Sequence, residues 1–432
     1  MTDKKLGLLQ ATAIAVGTMI GASIFSVFGL GARLAGHNLP LVFVVSGAVA
    51  VLVAYSYAVM GSRIVSNAGP MEFVLRGFGD NLVTGSLSVL FWLTYVISLA
   101  LFAKGFAGYF LPLFHVSGSA FATGAVEVSV IAAFLVVDML GTGIVGKAEF
   151  GIVLIKLGIL AVFIVLGLGS VRLGWVTPHV DRAHASGFFN GIAVFFLSYM
   201  GFGLVTNAAE DMVDPARNVP RAIYLSVVVV TIVYVLVSVV AVGNLPLARI
   251  VQAQDFALAE AAKPFLGHWG YMFVSIGALF SIASALNATL FGGANVAYAL
   301  ARDGELPELF ERKRWMHAPE GLYITAALSI VFALAFSLNG ITSITSAVFM
   351  VVYIAVLTAH LRLRSEVGGR RGIIVLGILV VGVVFVILQL HLWKTDRLAF
   401  WTVWAVFAAS LVLDGLYRRV RGRVFTSTTG AA

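Results

Sequence analysis

The stretch AVGTMIGASIFSVFGLGARLAG (residues 15–36) decides how the rest of the chain is understood. It is apolar and long enough to cross a bilayer, yet Gly17, Gly21, Gly29 and Gly31 interrupt it. Glycines at mid-span are typical either of close packing between helices or of a helix that unwinds inside the membrane. Other segments of the sequence distinguish close helix packing from an unwound helix.

The composition indicates a membrane protein. Of the 432 residues, 60% are hydrophobic and only 11% are charged, and the mean hydropathy is +1.01. Soluble domains carry about 25% charged residues, whereas a chain that also faces lipid needs apolar residues on its outer surface. The absence of cysteine excludes disulfides, thiolate zinc sites and cysteine nucleophiles. No cleavable signal peptide is visible at the start of the chain.

Apolar runs of suitable length predict twelve transmembrane helices. We place them near residues 8–34, 40–62, 82–113, 121–141, 147–170, 187–212, 221–243, 268–300, 321–338, 341–361, 372–391 and 397–417. We number them spans 1 to 12. The loops between them are short, so no separate soluble domain is expected.

The basic residues predict the orientation. Of the 28 Lys and Arg, 19 fall in segments that are cytoplasmic if the N-terminus is inside, and 7 fall in outer segments. The remaining two, Lys104 and Lys156, lie within spans. Such a bias predicts a multi-pass protein of the plasma membrane with both termini in the cytoplasm. It also explains the net charge of +8 without a nucleic-acid partner.

Span 6 carries a second glycine interruption, in FFLSYMGFGLVTNAAED (residues 195–211), at Gly201 and Gly203. Interruptions at matching places in two halves of a chain indicate an inverted-repeat transporter. We therefore predict that spans 1 and 6 are unwound at mid-membrane. The expected units are a first five-helix repeat (1–170), a second, inverted repeat (171–361), and spans 11 and 12 with a short tail (362–432).

Four further segments resemble one transporter family. They are VGTMIGASIF in span 1, SNAGPMEFVLRGFGDN after span 2, AAEDMVDPARNVPRAI after span 6 and ALNATLFGGANVAYALARDGELPELF from span 8 onward. In this order they resemble the amino acid–polyamine–organocation (APC) superfamily, and among its members the ApcT-type proton-coupled amino acid transporters. The resemblance covers nearly the whole chain. It implies the LeuT-type fold of two inverted five-helix repeats.

The resemblance also implies a substrate site at the two interruptions. The family's span-1 turn, which binds the substrate carboxylate through backbone N–H groups, corresponds to Gly21, Ala22 and Ser23. Carbonyls near Met19 in span 1 and near Leu197 and Met200 in span 6 are expected to accept the substrate ammonium. Phe202 or Tyr199 is the candidate gate, and either is equally explained by helix packing. A lining that includes Ile20, Met200, Phe202 and Thr289 carries no charge, which favours neutral amino acids.

Span 5 contains Lys156 in EFGIVLIKLGILAVFIVLG (residues 149–167). Nine residues separate it from Lys147, so its Cα lies roughly 13 Å deep at about 1.5 Å per residue. A charge at this depth costs roughly 2.5–3.5 kcal/mol, so the lysine is expected to face the protein interior. In the family that the chain resembles, the span-5 lysine takes the place of a sodium ion. It would contact Gly17 in span 1 and Ser281 and Ser284 in span 8, and it would carry the coupled proton.

Other ionisable residues are expected to have lesser roles. Lys104 in span 3 is expected to snorkel or to serve packing. Glu210 and Asp211, at the end of span 6, are expected to pair with Arg217 or Arg221, or to form a cytoplasmic gate. The sequence has no nucleotide-binding loop, no H-x-x-x-H spacing and no catalytic constellation, so an enzyme is not expected.

The resulting hypothesis is a sodium-independent, proton-coupled symporter of neutral L-amino acids, without a cofactor and acting as a monomer. An amino acid exchanger of the same fold is the first alternative, because some exchangers in the superfamily also carry a span-5 lysine. A sensor that binds amino acids without moving them is the second alternative.

Overall fold

The computed structural model describes residues 6–116, 119–140, 145–178, 182–302, 304, 306–312 and 319–421. Within these residues the regular structure is helical, apart from a single bridge between Leu6 and Met212. The prediction of an all-α protein is confirmed. The basic residues Lys4, Lys5, Lys313 and Arg314 and the predicted tail after Arg421 lie outside the described residues.

The first half of the chain begins with three short helices in place of one long span. They are α1 (Leu8–Met19), α2 (Ala22–Phe25) and α3 (Phe28–Ala35). They are followed by α4 (Leu39–Arg63), α5 (Pro70–Phe78), α6 (Leu82–Leu113), α7 (Ala120–Leu140), α8 (Val145–Leu168) and the short α9 (Leu173–Val176).

The second half begins with α10 (Arg182–Phe195), which continues directly into a 3-10 helix (Phe196–Asp211), here called the 3-10 segment. The remaining helices are α11 (Pro215–Asn244), α12 (Leu247–Ala253), α13 (Ala257–Arg302), α14 (Glu320–Ala335), α15 (Leu338–Val367), α16 (Arg371–Thr395) and α17 (Arg397–Arg421). Three short 3-10 turns also occur, at Gly36–Asn38, Gln254–Phe256 and Glu308–Phe310.

Local sequence explains where several helices start. The Asn81 side chain accepts hydrogen bonds from the backbone N–H groups of Val83 and Thr84, at 2.9 and 3.1 Å, and so caps α6. Ser337 caps α15 in the same way, through the N–H of Gly340. Proline stands in the first turn of α4, α5 and α11, where its missing N–H costs no hydrogen bond.

Length and composition make this a membrane protein. Among the described residues, ten helical segments are long and apolar enough to cross a bilayer, and the shorter apolar helices Leu8–Met19 and Glu320–Ala335 add to them. The predicted number of spans is reached when α1 to α3 are counted as one broken span. Large apolar side chains are exposed on the outer helices, for example Val165 at 70% and Leu379 at 61%. In a bilayer these side chains face lipid.

The interior is organised around the broken first span. Helix α1 packs between α11 and the 3-10 segment, α4 packs along α11, and α6 packs along α13. Tyr57, Tyr199, Tyr234 and Tyr353 are fully buried in this interior. Because a buried tyrosine hydroxyl needs a hydrogen-bond partner, these side chains indicate where the polar groups of the core lie.

The region of the second glycine interruption differs in form from the prediction. Span 6 leaves the α-helical form at mid-span, but it tightens into the 3-10 segment and does not open into an extended stretch. The reason lies in close packing at Gly201, where a Cβ atom would lie 2.8 Å from the backbone nitrogen of Met19. The glycine therefore lets the 3-10 segment cross the end of α1 with the two backbones in contact.

Candidate functional site

The break between α1 and α2 leaves backbone groups without helical partners. Helix α1 ends at Met19 and α2 begins at Ala22. The N–H of Gly21 donates to the carbonyl of Met19, at 3.1 Å, so it does not continue the helical ladder back to Gly17. The carbonyls of residues 17–20 therefore have to find other donors, since an unpaired buried carbonyl is costly.

Lys156 supplies donors to two of these carbonyls. Its ammonium nitrogen Nζ donates to Gly17 O at 2.7 Å and to Ile20 O at 3.3 Å, and the residue is only 1% exposed. Ser281, on α13, also donates from Oγ to Ile20 O, at 3.0 Å. Ser284, the other predicted hydroxyl, is buried one turn further along α13. Helices α8 and α13 thus hold the same stretch of broken backbone.

The carbonyl of Met19 turns the other way, towards α11. It accepts hydrogen bonds from the Tyr234 hydroxyl and, at 2.8 Å, from Ser23 Oγ, in addition to the bond from Gly21. Since a carbonyl oxygen has two lone pairs, this acceptor is saturated. The Met19 carbonyl itself is therefore occupied in this conformation, and the expected ammonium acceptor near Met19 has to be a neighbouring carbonyl. Met19 remains next to the cavity through its side chain.

The fourth carbonyl, that of Thr18, has no hydrogen-bond donor within the described part of the chain. The Thr18 hydroxyl donates back to Ile14 O at 2.9 Å and does not satisfy it. Thr18 lies on the wall of the central cavity. Its carbonyl is therefore the acceptor that the break leaves available for a ligand.

A central cavity of about 110 Å³ lies beside the break. Its lining comes from α1, α2, α4, the start of α5, α6, the 3-10 segment, α13 and α15. Of the predicted substrate residues, four belong to the lining: Met19, Ser23, Leu197 and Met200. Thr289 also belongs to it, as expected. The described lining contains no Asp, Glu, Lys or Arg, so a ligand meets only neutral polar groups and apolar side chains.

The other predicted substrate residues lie behind the cavity wall. Gly21 packs against the lining residue Phe102, where a Cβ atom would lie 3.4 Å from the ring. Ile20 and Ala22 are fully buried, and the Ile20 carbonyl faces Lys156. Phe202 is also fully buried, and its ring stacks on Tyr353 with centroids 5.7 Å apart. The Phe202 ring lies behind Tyr353, which lines the cavity, so Phe202 does not occupy the predicted gate position in this conformation.

The second proposed gate, Tyr199, is also a core residue. It is fully buried, and its hydroxyl donates to the carbonyl of Phe43 at 2.8 Å. Its ring packs at an angle against that of Tyr234, with centroids 5.7 Å apart. Helix packing, the alternative given for both aromatic residues, explains Tyr199 fully.

The cavity borders a larger one of about 380 Å³ on the predicted cytoplasmic side. The two share Phe91, Tyr95, Leu204, Asn207 and Gly292 in their walls. The larger cavity is otherwise lined by the loop before α5, α5 itself and the end of α13. A path therefore leads from the central cavity towards that side.

The opposite side is closed by tight backbone packing. Helix α3 lies against the turn Gln254–Phe256, where a Cβ atom on Gly29 would approach Gln254 O to 2.3 Å. Asp255 of the same turn packs on Gly108 of α6, with 2.6 Å to a Cβ built there. Near this contact lies a further cavity of about 370 Å³, whose lining includes Arg33 and Asn339.

Two charge predictions need correction. Lys104 does not snorkel: its Nζ lies 2.9 Å from Glu127 Oε1 on α7, with both side chains largely buried. Glu210 and Asp211 accept hydrogen bonds from the backbone and side chain of Asn67, each at 3.1 Å. These bonds attach the loop before α5 to the end of the 3-10 segment, whereas Arg217 lies nearest to Asp214, at 3.9 Å.

Sequence reasoning missed several residues of the site. Tyr57, Tyr95, Phe102, Asn207 and Tyr353 line the cavity, and Tyr234 bonds to the break. Their signal in the sequence is weak, because an aromatic residue in an apolar span is ordinarily a packing residue. Asn207 stands at the boundary of the two cavities, and only the tertiary structure places its side chain there.

Known proteins are similar to this chain along its whole length. The family described as amino acid permease matches residues 6–413. An uncharacterized protein of Methanocaldococcus jannaschii is 52% identical over 99% of this chain and 98% of its own length. The inner membrane transport protein YbaT of Escherichia coli is 32% identical, over 95% of this chain and 96% of its own. The methylthioribose transporter of Bacillus subtilis is 29% identical, over 72% and 69% respectively.

The family match covers the helices that build the break, the cavity and the lysine contact. The family description and the relatives' names indicate a transporter and not an enzyme. The chain therefore belongs to the amino acid permease family of the APC superfamily and is a multi-pass membrane transporter.

Proposed function

We propose that the protein is a sodium-independent, proton-coupled symporter of neutral L-amino acids, with Lys156 as the proton carrier. The observation that carries the proposal is the buried ammonium of Lys156 between the carbonyls of Gly17 and Ile20. A buried cation held by backbone carbonyls at a helix break is what a bound sodium ion would otherwise provide. The family description supports amino acids as the substrates.

The protonated lysine ties the moving and fixed parts of the molecule together. Its bonds run from α8 to the end of α1, and the Ser281 bond runs from α13 to the same carbonyl. Hydrogen bonds from a charged donor are roughly twice as strong as neutral ones. While Lys156 is protonated, α1 is therefore fixed to α8 and α13.

Loss of the proton weakens this attachment. A neutral amine keeps two N–H donors but loses the positive charge that attracts the carbonyl dipoles. In this proposal the lysine releases its proton when a water path reaches it. Helix α1 then becomes free to move relative to α8, and the proton leaves on the side to which the site is open.

Substrate recognition follows from the groups that the break leaves available. The N–H of Ser23, in the first turn of α2, would bind the substrate carboxylate, and the Thr18 carbonyl would accept from its ammonium. The side chain would then enter the uncharged cavity. Since no lining residue can pair with a charged side chain, arginine, lysine and glutamate are poor substrates.

The whole site lies within one chain, which supports a monomeric transporter of the cell membrane. We assign residues 1–170 and 171–361 to two inverted repeats, because each begins with a span that departs from α-helical form. Alternating access would close the path on the predicted cytoplasmic side and open the contact between α3 and Gln254–Phe256.

The direct test is uptake into sodium-free proteoliposomes. We expect radiolabelled leucine and alanine to accumulate only with an inward proton gradient, and a protonophore to abolish accumulation. Uptake that ignores the gradient but requires amino acid inside the vesicles would identify an exchanger. Binding without any uptake would identify a sensor.

The first prediction concerns Lys156→Gln. Glutamine retains an N–H donor for Gly17 O but cannot titrate, so we expect counterflow of leucine to persist while gradient-driven accumulation is lost. Lys156→Ala would lose both activities, because the buried Gly17 carbonyl loses its donor, at about 1–3 kcal/mol, while the Ile20 carbonyl keeps the bond from Ser281. If Lys156→Gln still accumulated leucine in response to a proton gradient, the lysine would not be the proton carrier.

A further inference from the structure

Aromatic side chains form much of the lining of the central cavity. Six rings belong to its lining: Tyr57, Phe91, Tyr95, Phe102, Phe349 and Tyr353. Three of them, Phe91, Tyr95 and Phe102, stand on α6 at spacings of four and seven residues, which places them on one face of that helix. We call these three the α6 wall.

The facing wall comes from α4 and α15. Tyr57 and Tyr353 pack edge to face with centroids 5.7 Å apart, and Phe349 lies 6.0 Å from Tyr353. We call these three the α15 wall. The stacking of Phe202 on Tyr353 from behind, at an interplanar angle of 16°, holds this wall in place.

Both walls are fixed by close contacts before any ligand arrives. Phe91 and Tyr95 pack edge to face at 5.4 Å. A Cβ atom on Gly203 would lie 3.1 Å from the Tyr57 ring, and one on Gly292 would lie 3.1 Å from the Tyr95 ring. A preformed wall binds an apolar group without a further ordering cost.

Phe102 connects the walls to the break. A Cβ atom on Gly21 would lie 3.4 Å from the ring of Phe102, so this ring lies beside the broken backbone. A substrate whose carboxylate and ammonium bind at the break therefore has its first side-chain atoms beside Phe102. Met19 and Met200 add polarizable thioethers to the same lining.

We propose that the site selects neutral amino acids with large apolar side chains, such as leucine, methionine and phenylalanine, and that Phe102 determines this selectivity. The inference rests on the proposed function, because it places the amino and carboxyl groups at the break. Small substrates such as glycine and alanine leave the space between the walls empty. Serine would bring a hydroxyl into a predominantly apolar space.

The test is competition for radiolabelled leucine in proteoliposomes. Each methylene buried between the walls strengthens binding about four-fold. We therefore expect methionine and leucine to inhibit uptake at concentrations about ten-fold or more below that of alanine, with glycine weaker still. Equal inhibition by alanine and leucine would overturn the inference while leaving amino acid transport intact.

The residue test uses a matched pair on α6. We expect Phe102→Ala to reduce the preference for leucine over alanine by about ten-fold, because the ring beside the break is removed. Phe106→Ala is the control, since Phe106 stacks on Phe110 and does not belong to the described lining. If the Phe102→Ala variant does not fold, the preference for leucine over alanine is measured on Phe102→Leu, which keeps most of the side-chain volume.

The outcomes separate the two proposals. A Phe106→Ala variant that loses the preference as much as Phe102→Ala would overturn the assignment of Phe102. If leucine is not taken up and no amino acid binds to the protein, the proposed function fails, and the proposed selectivity fails with it. If amino acids compete but small ones are preferred, only the selectivity fails.

Discussion

Single residues hold the broken backbone from two opposite sides. Lys156 and Ser281 bond to the carbonyls of Gly17 and Ile20, whereas Tyr234 bonds to the carbonyl of Met19. The Tyr234 hydroxyl also lies 3.2 Å from Ser23 Oγ and 3.3 Å from the carbonyl of Ser198. It therefore links α11 to both the break and the 3-10 segment. In the proposed mechanism proton loss releases the lysine contact, whereas the tyrosine contact plays no part in proton transfer.

We predict that Tyr234→Phe impairs transport more than it impairs folding. The Met19 carbonyl keeps its bonds from Ser23 and Gly21, so the loss of unfolding free energy should be about 0.5–1.5 kcal/mol. Because the backbone at the break is held less firmly without the Tyr234 bond, we expect the KM for leucine to rise about two- to ten-fold.

The matched control is Tyr199→Phe. This hydroxyl is equally buried and bonds to Phe43 O, at a distance from the break, so it should cost similar stability without changing KM. Thermal unfolding in detergent and initial rates of leucine uptake measure the two effects. A rise in KM of the same size in both variants would contradict a positioning role for Tyr234.

At the scale of whole elements, the crossing of α1 and the 3-10 segment depends on Gly201. A Cβ atom there would lie 2.8 Å from the nitrogen of Met19 and 3.0 Å from the carbonyl of Ala15. Both neighbours are backbone atoms, which cannot move aside by a change of rotamer. Two helical elements can therefore approach this closely only when the residue has no side chain.

We predict that Gly201→Ala lowers the free energy of unfolding by about 1–3 kcal/mol, as overpacking in a core does. The control is Gly158→Ala on α8, where no atom lies within 4 Å of an added Cβ and the residue is exposed. That change should stay within about 1 kcal/mol of the parent protein. Thermal unfolding in detergent compares the two, and equal stability of both variants would contradict the close crossing.

At the scale of the whole molecule, each face has a cavity, of about 380 Å³ on the predicted cytoplasmic side and about 370 Å³ on the other. Asn295 is exposed in the 380 Å³ cavity on the predicted cytoplasmic side. Asn339 is exposed on the opposite face, in a cavity next to the sealed contact of α3. Because the natural sequence has no cysteine, a single introduced thiol reports on one position alone.

We predict that a membrane-impermeant maleimide labels Asn295→Cys in inside-out vesicles only, and Asn339→Cys in right-side-out vesicles only. Gel-shift quantification of labelled protein measures both, and the cysteine-free parent gives the background. Labelling of Asn295→Cys from the outside would reverse the orientation predicted from the basic residues.

Much of the architecture followed from local sequence. Apolar runs predicted the spans, because a bilayer requires about 20 apolar residues for each crossing helix. Gly17 and Gly21 marked the break in span 1, and the depth of Lys156 required it to face inward. Glu127 was missed as the partner of Lys104, because the two residues stand on different helices and no sequence periodicity relates them.

The sequence alone determined that the chain crosses the membrane, that its first span is interrupted and that the lysine of span 5 faces the protein interior. Each of these depends on composition or on spacing within one helix. Only the tertiary structure decided which donor bonds to which carbonyl. The hydroxyl of Tyr234, 215 positions away in the sequence, donates to the carbonyl of Met19, so that carbonyl is not available to a substrate ammonium. The tertiary structure also decided that Phe202 lies behind Tyr353. Such contacts depend on how helices rotate and cross, and that is fixed by packing of side chains far apart in the sequence.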